Sequence, residues 1–322
     1  MRSRKFKALL VFAVSISLPL LVFSQRMAIF DWWRLRGYTP DPLVAQLATD
    51  TTMVDGTRRL FYVYHPSLEE KAEFNKSCRE NEQTIVLGCY VDGRGIHLLN
   101  VNDSRLAGVQ QVTAAHELLH AAYARLSTSE RKKVDAMTRD AFAGLTDERV
   151  RGVIELYRNQ DPGVVPNELH SILATEVRSL PAGLEAYYAK HFSDRAKVVA
   201  YSEAYEQAFT ARKNQILAYD AQLASLKQQI ETLQKTLDQQ AGQLTAERAQ
   251  LEAKKSSGDV SSYNAAVNAY NSRVVSYNRN IDRLTDVVNE YNDIVPKRNA
   301  IALEEQELVK AIDSRESVPG KQ

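Results

Sequence analysis

The chain has little net charge and little cysteine. Its 322 residues carry 41 Lys and Arg against 40 Asp and Glu, which gives a formal net charge of +1, and no basic patch stands out. This balance supplies no electrostatic reason to expect nucleic acid as a partner. Cys78 and Cys89 are the only cysteines, so the chain can form at most one internal disulfide. The length suits one domain of ordinary size plus an appendage.

The apolar run near the N-terminus is short for a membrane span. Residues 8–23 are mostly apolar and follow a basic segment at 2–7. As a helix this run would extend about 24 Å, against a hydrocarbon core of about 30 Å. No A-x-A cleavage signal follows, whereas Trp32 and Trp33 resemble an interfacial aromatic belt. We therefore expect a retained single-pass anchor at 1–33, with the N-terminus inside and the remainder outside the cytoplasm; a cleaved signal, giving a secreted protein, is the alternative.

Both cysteines lie in the part of the chain that this orientation places outside the cytoplasm. A disulfide between Cys78 and Cys89 is therefore allowed. Closing so short a loop would contribute about 3 kcal/mol to stability by the chain-entropy estimate. Two buried free thiols are the alternative.

Residues 116–120 are His-Glu-Leu-Leu-His, which matches the HExxH pattern of zinc sites. Positions i and i+4 share one face of a helix, so His116 and His120 can bind the same Zn²⁺. Glu117 would then stand beside a zinc-activated water as its general base. The alternative is an ordinary core helix that holds two histidines and a glutamate by coincidence, which residue frequencies make rare.

A hydrolytic zinc site needs a third protein ligand and an open position. The chain resembles the gluzincin branch of the zincin metallopeptidases, in which a glutamate on a separate downstream helix completes the site, often with a small residue three positions later. Asn167-Glu168-Leu169-His170-Ser171 matches that form. The resemblance implies Glu168 as third ligand, with Glu176, two turns later on a similar face, as the alternative.

The resemblance extends from a β-hairpin predicted at 84–101 to Arg178. It implies peptide hydrolysis, in which Glu117 passes a proton from water to the leaving amine. Thermolysin-like enzymes place an Asp four residues after the ligand glutamate to orient a metal-bound histidine, but this chain has Ile172 there. His170, the other glutamate or a backbone carbonyl must then orient the ligands. A metzincin site is disfavoured because the position six residues after His120 is Leu126. Candidates for stabilising the oxyanion, none of them preferred, are Tyr187, Tyr188, His170 and His191.

Sequence periodicity also predicts the elements around this motif. They are a strand at 59–65, a helix at 67–76, a β-hairpin at 84–101 and helices at 130–142, 147–157 and 166–178, the last with Pro166 as its first residue. The second hairpin strand, at 96–101, comes shortly before the HExxH helix. We expect that strand to border the cleft and to bind an extended peptide by strand addition.

The C-terminal third of the chain has the three-and-four spacing of a heptad repeat. A polar segment at 254–262 separates two such apolar seams. Folding the chain back about Ser257 brings Leu237 opposite Tyr277, and the other layers close in the same way. The sequence therefore predicts an antiparallel coiled-coil hairpin at 213–312, with an intermolecular coil as the alternative.

These patterns predict an α+β zincin-like metallopeptidase domain with a small sheet, followed by an all-α antiparallel coiled-coil hairpin. The expected segments are a signal anchor at 1–33, a linker and short helix at 34–56, the zincin-like domain at 57–212, the hairpin at 213–312 and a disordered tail at 313–322.

The expected function is that of a membrane-anchored extracytoplasmic zinc metallopeptidase acting on proteins or peptides. The N-terminal helix would contact the lipid bilayer, and an envelope protein is the expected partner of the coiled coil. The alternative is a non-catalytic envelope scaffold or adhesion protein that uses a zincin-like domain and a coiled coil for binding. Glu117 argues against this alternative, because a pure binder has no chemical need for a general base.

Overall fold

A computed structural model of the chain describes residues 25–78 and 85–315. These residues form two compact units. The first runs up to Ala208 and also includes the chain from Val309 onward, and the second is Phe209–Leu308. The described residues are mostly helical, with a small sheet in the first unit and a long helical hairpin in the second.

The secondary structure elements are numbered here in chain order. The helices are α1 (Arg26–Leu35), α2 (Pro42–Asp50), α3 (Asp55–Val63), α4 (Lys71–Ser77), α5 (Val109–Ala124), α6 (Thr128–Ala143), α7 (Glu148–Gln160), α8 (Val165–Glu176), α9 (Ala182–Tyr188), α10 (Arg195–Ser257) and α11 (Val260–Ile312). The strands are β1 (Ser67–Glu69), β2 (Gly88–Val91) and β3 (Gly95–Leu99).

The HExxH segment lies on α5, and most of this helix is buried. Leu118 and Leu119 are fully buried in the core of the first unit, and Ala114, Ala115 and Ala121 keep the helix narrow. Small side chains allow a neighbouring helix to approach closely, and α8 is the helix that packs most extensively against α5. The predicted helix at 166–178 is thus present as α8, with Pro166 in its first turn as expected. It begins one residue earlier than predicted, at Val165, and ends two residues earlier, at Glu176.

The sheet has the order β1-β3-β2, with β1 parallel and β2 antiparallel to β3. The hairpin prediction is confirmed for the two strands, while 79–84 lie outside the described residues. The expected substrate-binding role of the strand at 96–101 is wrong, because β3 pairs on both sides and has no edge for an added peptide. The outer strand on the hairpin side is β2.

The strand predicted at 59–65 is wrong, because this segment belongs to helix α3. Its aromatic and β-branched residues suggested a strand. Burial instead follows helical spacing, since Thr57 and Phe61 are buried four residues apart while Arg59 between them is exposed. The following segment combines the short strand β1 with α4, where one helix at 67–76 was expected.

Local capping signals account for α6 and α7. The Ser127 side chain accepts from the backbone N–H of Glu130, and the Glu130 side chain accepts from the backbone N–H of Ser127, which is a complete capping box. Asp147 caps α7 by accepting from two backbone N–H groups of its first turn. Both helices begin within two residues of the predicted positions.

Helix α1 belongs to the first folded unit. Phe30 and Leu35 pack against the core, and the Asp31 carboxylate accepts two hydrogen bonds from the Arg125 guanidinium, at 2.7 and 2.8 Å. Trp32 and Trp33 stay largely exposed, at 59% and 64%. The residues from 26 onward therefore pack with the folded domain, where the sequence suggested an anchor and a linker.

The structure does not support the predicted membrane anchor. In the parts of the chain that the structure describes, 25–78 and 85–315, every helix is too short or too polar to cross a membrane. This finding corrects the predicted transmembrane segment and the predicted single-pass location at the cell membrane. The apolar run at 8–23 itself lies outside the described residues.

The predicted disulfide is confirmed: Cys78 and Cys89 are bonded, with their Cα atoms 5.9 Å apart. Cys78 follows the last residue of α4, and Cys89 lies on β2. The bond therefore fastens α4 to the outer strand of the sheet.

Helices α10 and α11 form an antiparallel hairpin within the second unit, as the heptad pattern predicts. Gln240 accepts a hydrogen bond from Asn280 at 3.0 Å, and Glu247 pairs with Arg273 at 2.9 Å. Both pairs join residues on opposite sides of the chain reversal, which lies close to the predicted fold-back point at Ser257. The chain turns at Gly258, whose φ of +77° suits glycine.

Candidate metal centre

Helices α5 and α8 bring three potential metal ligands together. Nε2 of His116 and Nε2 of His120 each lie 3.5 Å from a different carboxylate oxygen of Glu168. One ligand atom from each residue lies within 4.8 Å of the others, so the group could hold a metal ion. The two histidines come from the HExxH motif, and Glu168 is the preferred third ligand of the sequence analysis.

The donor set fits zinc on two counts. Ligand atoms at ordinary zinc distances around a tetrahedral ion stand about 3.3 Å apart, close to the 3.5 Å separations observed. Oε2 of Glu168 is buried and makes no hydrogen bond within the described residues. A buried carboxylate oxygen without a hydrogen-bond partner is unfavourable, and a cation among the three side chains would satisfy it.

The electrostatics of the group also favour positive charge. Burial lowers the pKa of His116, but the carboxylates of Glu168, Glu117 and Glu176 outweigh burial and raise that pKa to about 9. Burial raises the pKa of Glu168, but the two nearby histidines outweigh it and hold the pKa below its ordinary value. The carboxylates around His116 therefore stabilise a cation at this position.

Ser171 contacts His120, one of the candidate metal ligands. Its hydroxyl lies 3.3 Å from Nδ1 of His120, and both side chains are buried. A partner on the second ring nitrogen fixes the orientation of a ligating imidazole. Ser171 can therefore orient His120, which the apolar side chain of Ile172 cannot do. The sequence pattern includes Ser171 as the small residue three positions after Glu168.

Replacing Ser171 with alanine is expected to weaken zinc binding by about 10–100-fold, because His120 loses the group that orients it. Competition with a chromophoric chelator measures this affinity. Thr175→Ala is the matched control, since Thr175 is equally buried on α8 but donates only to a backbone carbonyl. Equal zinc affinities in the two variants would contradict the role of Ser171.

Glu176 has a different partner. One of its carboxylate oxygens lies 2.6 Å from Nη1 of Arg149 on α7. The structure thus pairs the alternative ligand with a guanidinium and leaves Glu168 facing the histidines.

The four candidates for oxyanion stabilisation do not line the cleft around the metal centre. Nε2 of His170 lies 2.9 Å from the hydroxyl of Tyr187, and the hydroxyl of Tyr188 donates to the backbone carbonyl of His170 at 2.7 Å. His170 is fully buried, and burial holds its pKa well below the ordinary value. Together with His191, these residues form an aromatic cluster, to which α8 contributes His170. Their role in this structure is packing.

His191 makes stability depend on pH. Burial, followed by the charge of Lys190, lowers its pKa to about 4, against about 6.5 in an unfolded chain. The folded state therefore binds fewer protons than the unfolded state, and stability falls as the pH drops below 6.5. We expect a loss of up to about 3 kcal/mol near pH 4, measured by urea unfolding across this range. His191→Gln should reduce this loss, and an unchanged pH profile in that variant would contradict the assignment.

The candidate metal centre lines a cleft of about 370 Å³. Strand β2 and the residues before it form one wall, and parts of α5, α7, α8 and α10 form the others. Gly88 lets β2 approach α5, because a Cβ atom at this position would lie 2.8 Å from Cγ of Glu117. Glu117 is only 6% exposed and still lines the cleft. The hydroxyl of Ser314 donates to the carbonyl of Val86 at 2.9 Å and so supports the same wall.

None of the protein-family models, curated proteins or solved structures compared with this chain matches it.

Proposed function

We propose that the chain is a zinc-dependent peptidase that hydrolyses proteins or peptides. The observation that carries the proposal is the meeting of His116 and His120 with Glu168, whose buried oxygen makes no hydrogen bond in the described part of the chain. These three residues would hold the zinc ion. When bound, zinc would act as a Lewis acid that polarises the scissile carbonyl and makes water a stronger nucleophile.

Glu117 would be the general base of the proposed reaction. It follows the ligand His116 directly in sequence, lies at the cleft and is nearly buried. Its carboxylate would accept a proton from the attacking water and then deliver that proton to the leaving amine. Gly88 keeps the opposite wall close to Glu117, which limits the water that can enter beside it.

Strand β2 would bind the backbone of the substrate. It is an outer strand of the sheet, and its residues line the cleft. An extended peptide can add to such an edge through main-chain hydrogen bonds. This assigns to β2 the role that the sequence pattern suggested for the following strand.

The hairpin favours a second candidate, a protein that binds peptides or a larger partner without cutting them. Helices α10 and α11 are 63 and 53 residues long, and most of their length forms a separate unit that contributes no residue to the cleft. Hydrolysis does not require a unit of this kind. Binding of peptides by a zinc-loaded chain that cuts none of them would support this candidate.

The test of the peptidase proposal is zinc content together with peptide hydrolysis. We expect about one zinc per chain by elemental analysis and cleavage of members of a mixed peptide library by mass spectrometry. Cleavage should stop after chelation by 1,10-phenanthroline and return when zinc is added. A folded chain that takes up no zinc, or a zinc-loaded chain that leaves the whole library intact, would contradict the proposal.

A further inference from the structure

Arg149 lies in the cleft between two carboxylates. Its Nη1 atom is 2.6 Å from Oε2 of Glu176 and 3.2 Å from Oε1 of Glu206, which α10 contributes. All three residues line the same cleft as His116 and Glu117. One guanidinium can neutralise only one of these two carboxylates.

Glu206 shows where the negative charge is in excess. The pKa of this carboxyl lies above its ordinary value. Burial is the largest cause, the carboxylates of Glu176 and Asp147 add to the rise, and Arg149 acts in the opposite direction. The attraction of Arg149 is therefore not enough to offset burial and the neighbouring negative charges. A second cation beside Glu206 would stabilise its charged form.

Ser202 is a second polar group beside Glu206 that a bound molecule could contact. It lies one turn before Glu206 on α10, is 3% exposed and lines the cleft. Its side chain makes no hydrogen bond to any residue in the ranges that the structure describes. The side chain faces the cleft, so a molecule bound there can give this hydroxyl the partner that buried hydroxyl groups usually have.

The walls nearby suit a long aliphatic stem. Val153 and Tyr157 on α7 and Tyr205 on α10 line this region together with the charged group. Lysine and arginine side chains place their methylene groups along such surfaces and keep their charged ends at polar groups. The cleft thus offers both apolar wall and carboxylates to such a side chain.

We propose that Glu176, Glu206 and Ser202 form a subsite for a lysine or arginine side chain of the peptide substrate. This inference rests on the proposed peptidase function and names its substrate class. The ammonium or guanidinium group would donate to the two carboxylates and to the serine hydroxyl, and Arg149 would hold the carboxylates in place.

An acidic side chain or a C-terminal carboxylate fits the subsite poorly. It would have to draw Arg149 away from both glutamates, which would leave two carboxylates without their cation. A purely structural ion pair also accounts for less of the arrangement. It explains the contacts of Arg149 with Glu176 and Glu206, but not why a second carboxylate and the hydroxyl of Ser202 line the cleft.

The test is a binding measurement on the zinc-loaded full chain carrying Glu117→Gln, which prevents turnover. Three fluorescent alanine-rich hexapeptides, identical except for one central lysine, norleucine or glutamate, serve as probes for fluorescence anisotropy. The lysine peptide should bind about tenfold more tightly than the norleucine peptide, and the glutamate peptide should bind most weakly. Adding Glu206→Gln should remove the preference for lysine.

Glu203→Gln is the matched control, because Glu203 is an exposed glutamate on α10 that pairs with Arg178. It should leave the preference unchanged, whereas Ser202→Ala should reduce it. Equal affinities for the three peptides, no binding of the lysine peptide, or a preference for glutamate would overturn the inference. If the lysine preference is present but the wild-type zinc-loaded chain cuts none of these peptides, the subsite stands and the peptidase proposal fails.

Discussion

Glu117→Gln is expected to lower peptide hydrolysis by about 10²–10⁴-fold, the usual contribution of a general base. Glutamine has nearly the same shape as glutamate but cannot accept the proton of the attacking water. Because the zinc ligands are other residues, zinc content should remain about one per chain. Initial rates on a peptide from the library and elemental analysis of the same sample measure both quantities.

The control for this prediction is Glu155→Gln, which changes an exposed glutamate of α7 that pairs with Arg158. It should leave the rate and the zinc content unchanged. If Glu117→Gln keeps the wild-type rate, another group accepts the proton and the assignment of the base is wrong. If it loses zinc as well as activity, Glu117 contributes to the metal centre in a way that the proposal does not include.

Glu168→Ala is expected to weaken zinc binding by more than about 100-fold, because even the loss of a residue that only supports a ligand costs 10–100-fold. His116→Ala should have an effect of similar size. The reason is geometric, since the carboxylate of Glu168 faces both histidines at 3.5 Å. Competition titration with a chromophoric chelator gives the affinities.

Glu176→Ala is the matched comparison, because both glutamates lie on α8 and both were candidates from the sequence. Its partner is Arg149, so the zinc affinity should stay close to that of the wild type. The opposite result, with zinc lost in Glu176→Ala and kept in Glu168→Ala, would assign the third ligand to Glu176. Retention of zinc in both variants would contradict a glutamate ligand from α8.

The features that sequence predicted well depend on residues close together in the chain. The helix that carries His116 and His120 follows from local spacing, and the capping box at Ser127 fixes a helix start within four residues. The β-hairpin follows from a glycine-containing turn between two apolar stretches. Each of these patterns can be recognised from neighbouring residues alone, without knowledge of the distant residues that pack against them.

The features that sequence missed depend on distant contacts. The inner position of β3 follows from its pairing with β1, about thirty residues earlier in the chain. Glu206 comes to the cleft from α10, and no local pattern connects it with Arg149 on α7.

The contact between Ser314 and Val86 joins residues 228 positions apart, with the whole hairpin of α10 and α11 between them in the chain. A ribosome makes Val86 and the zinc-binding motif long before it makes Ser314. During synthesis, the wall of the cleft beside Glu117 therefore lacks this support until both long helices have been translated. The order of translation thus delays completion of the cleft until almost the whole described chain has been made.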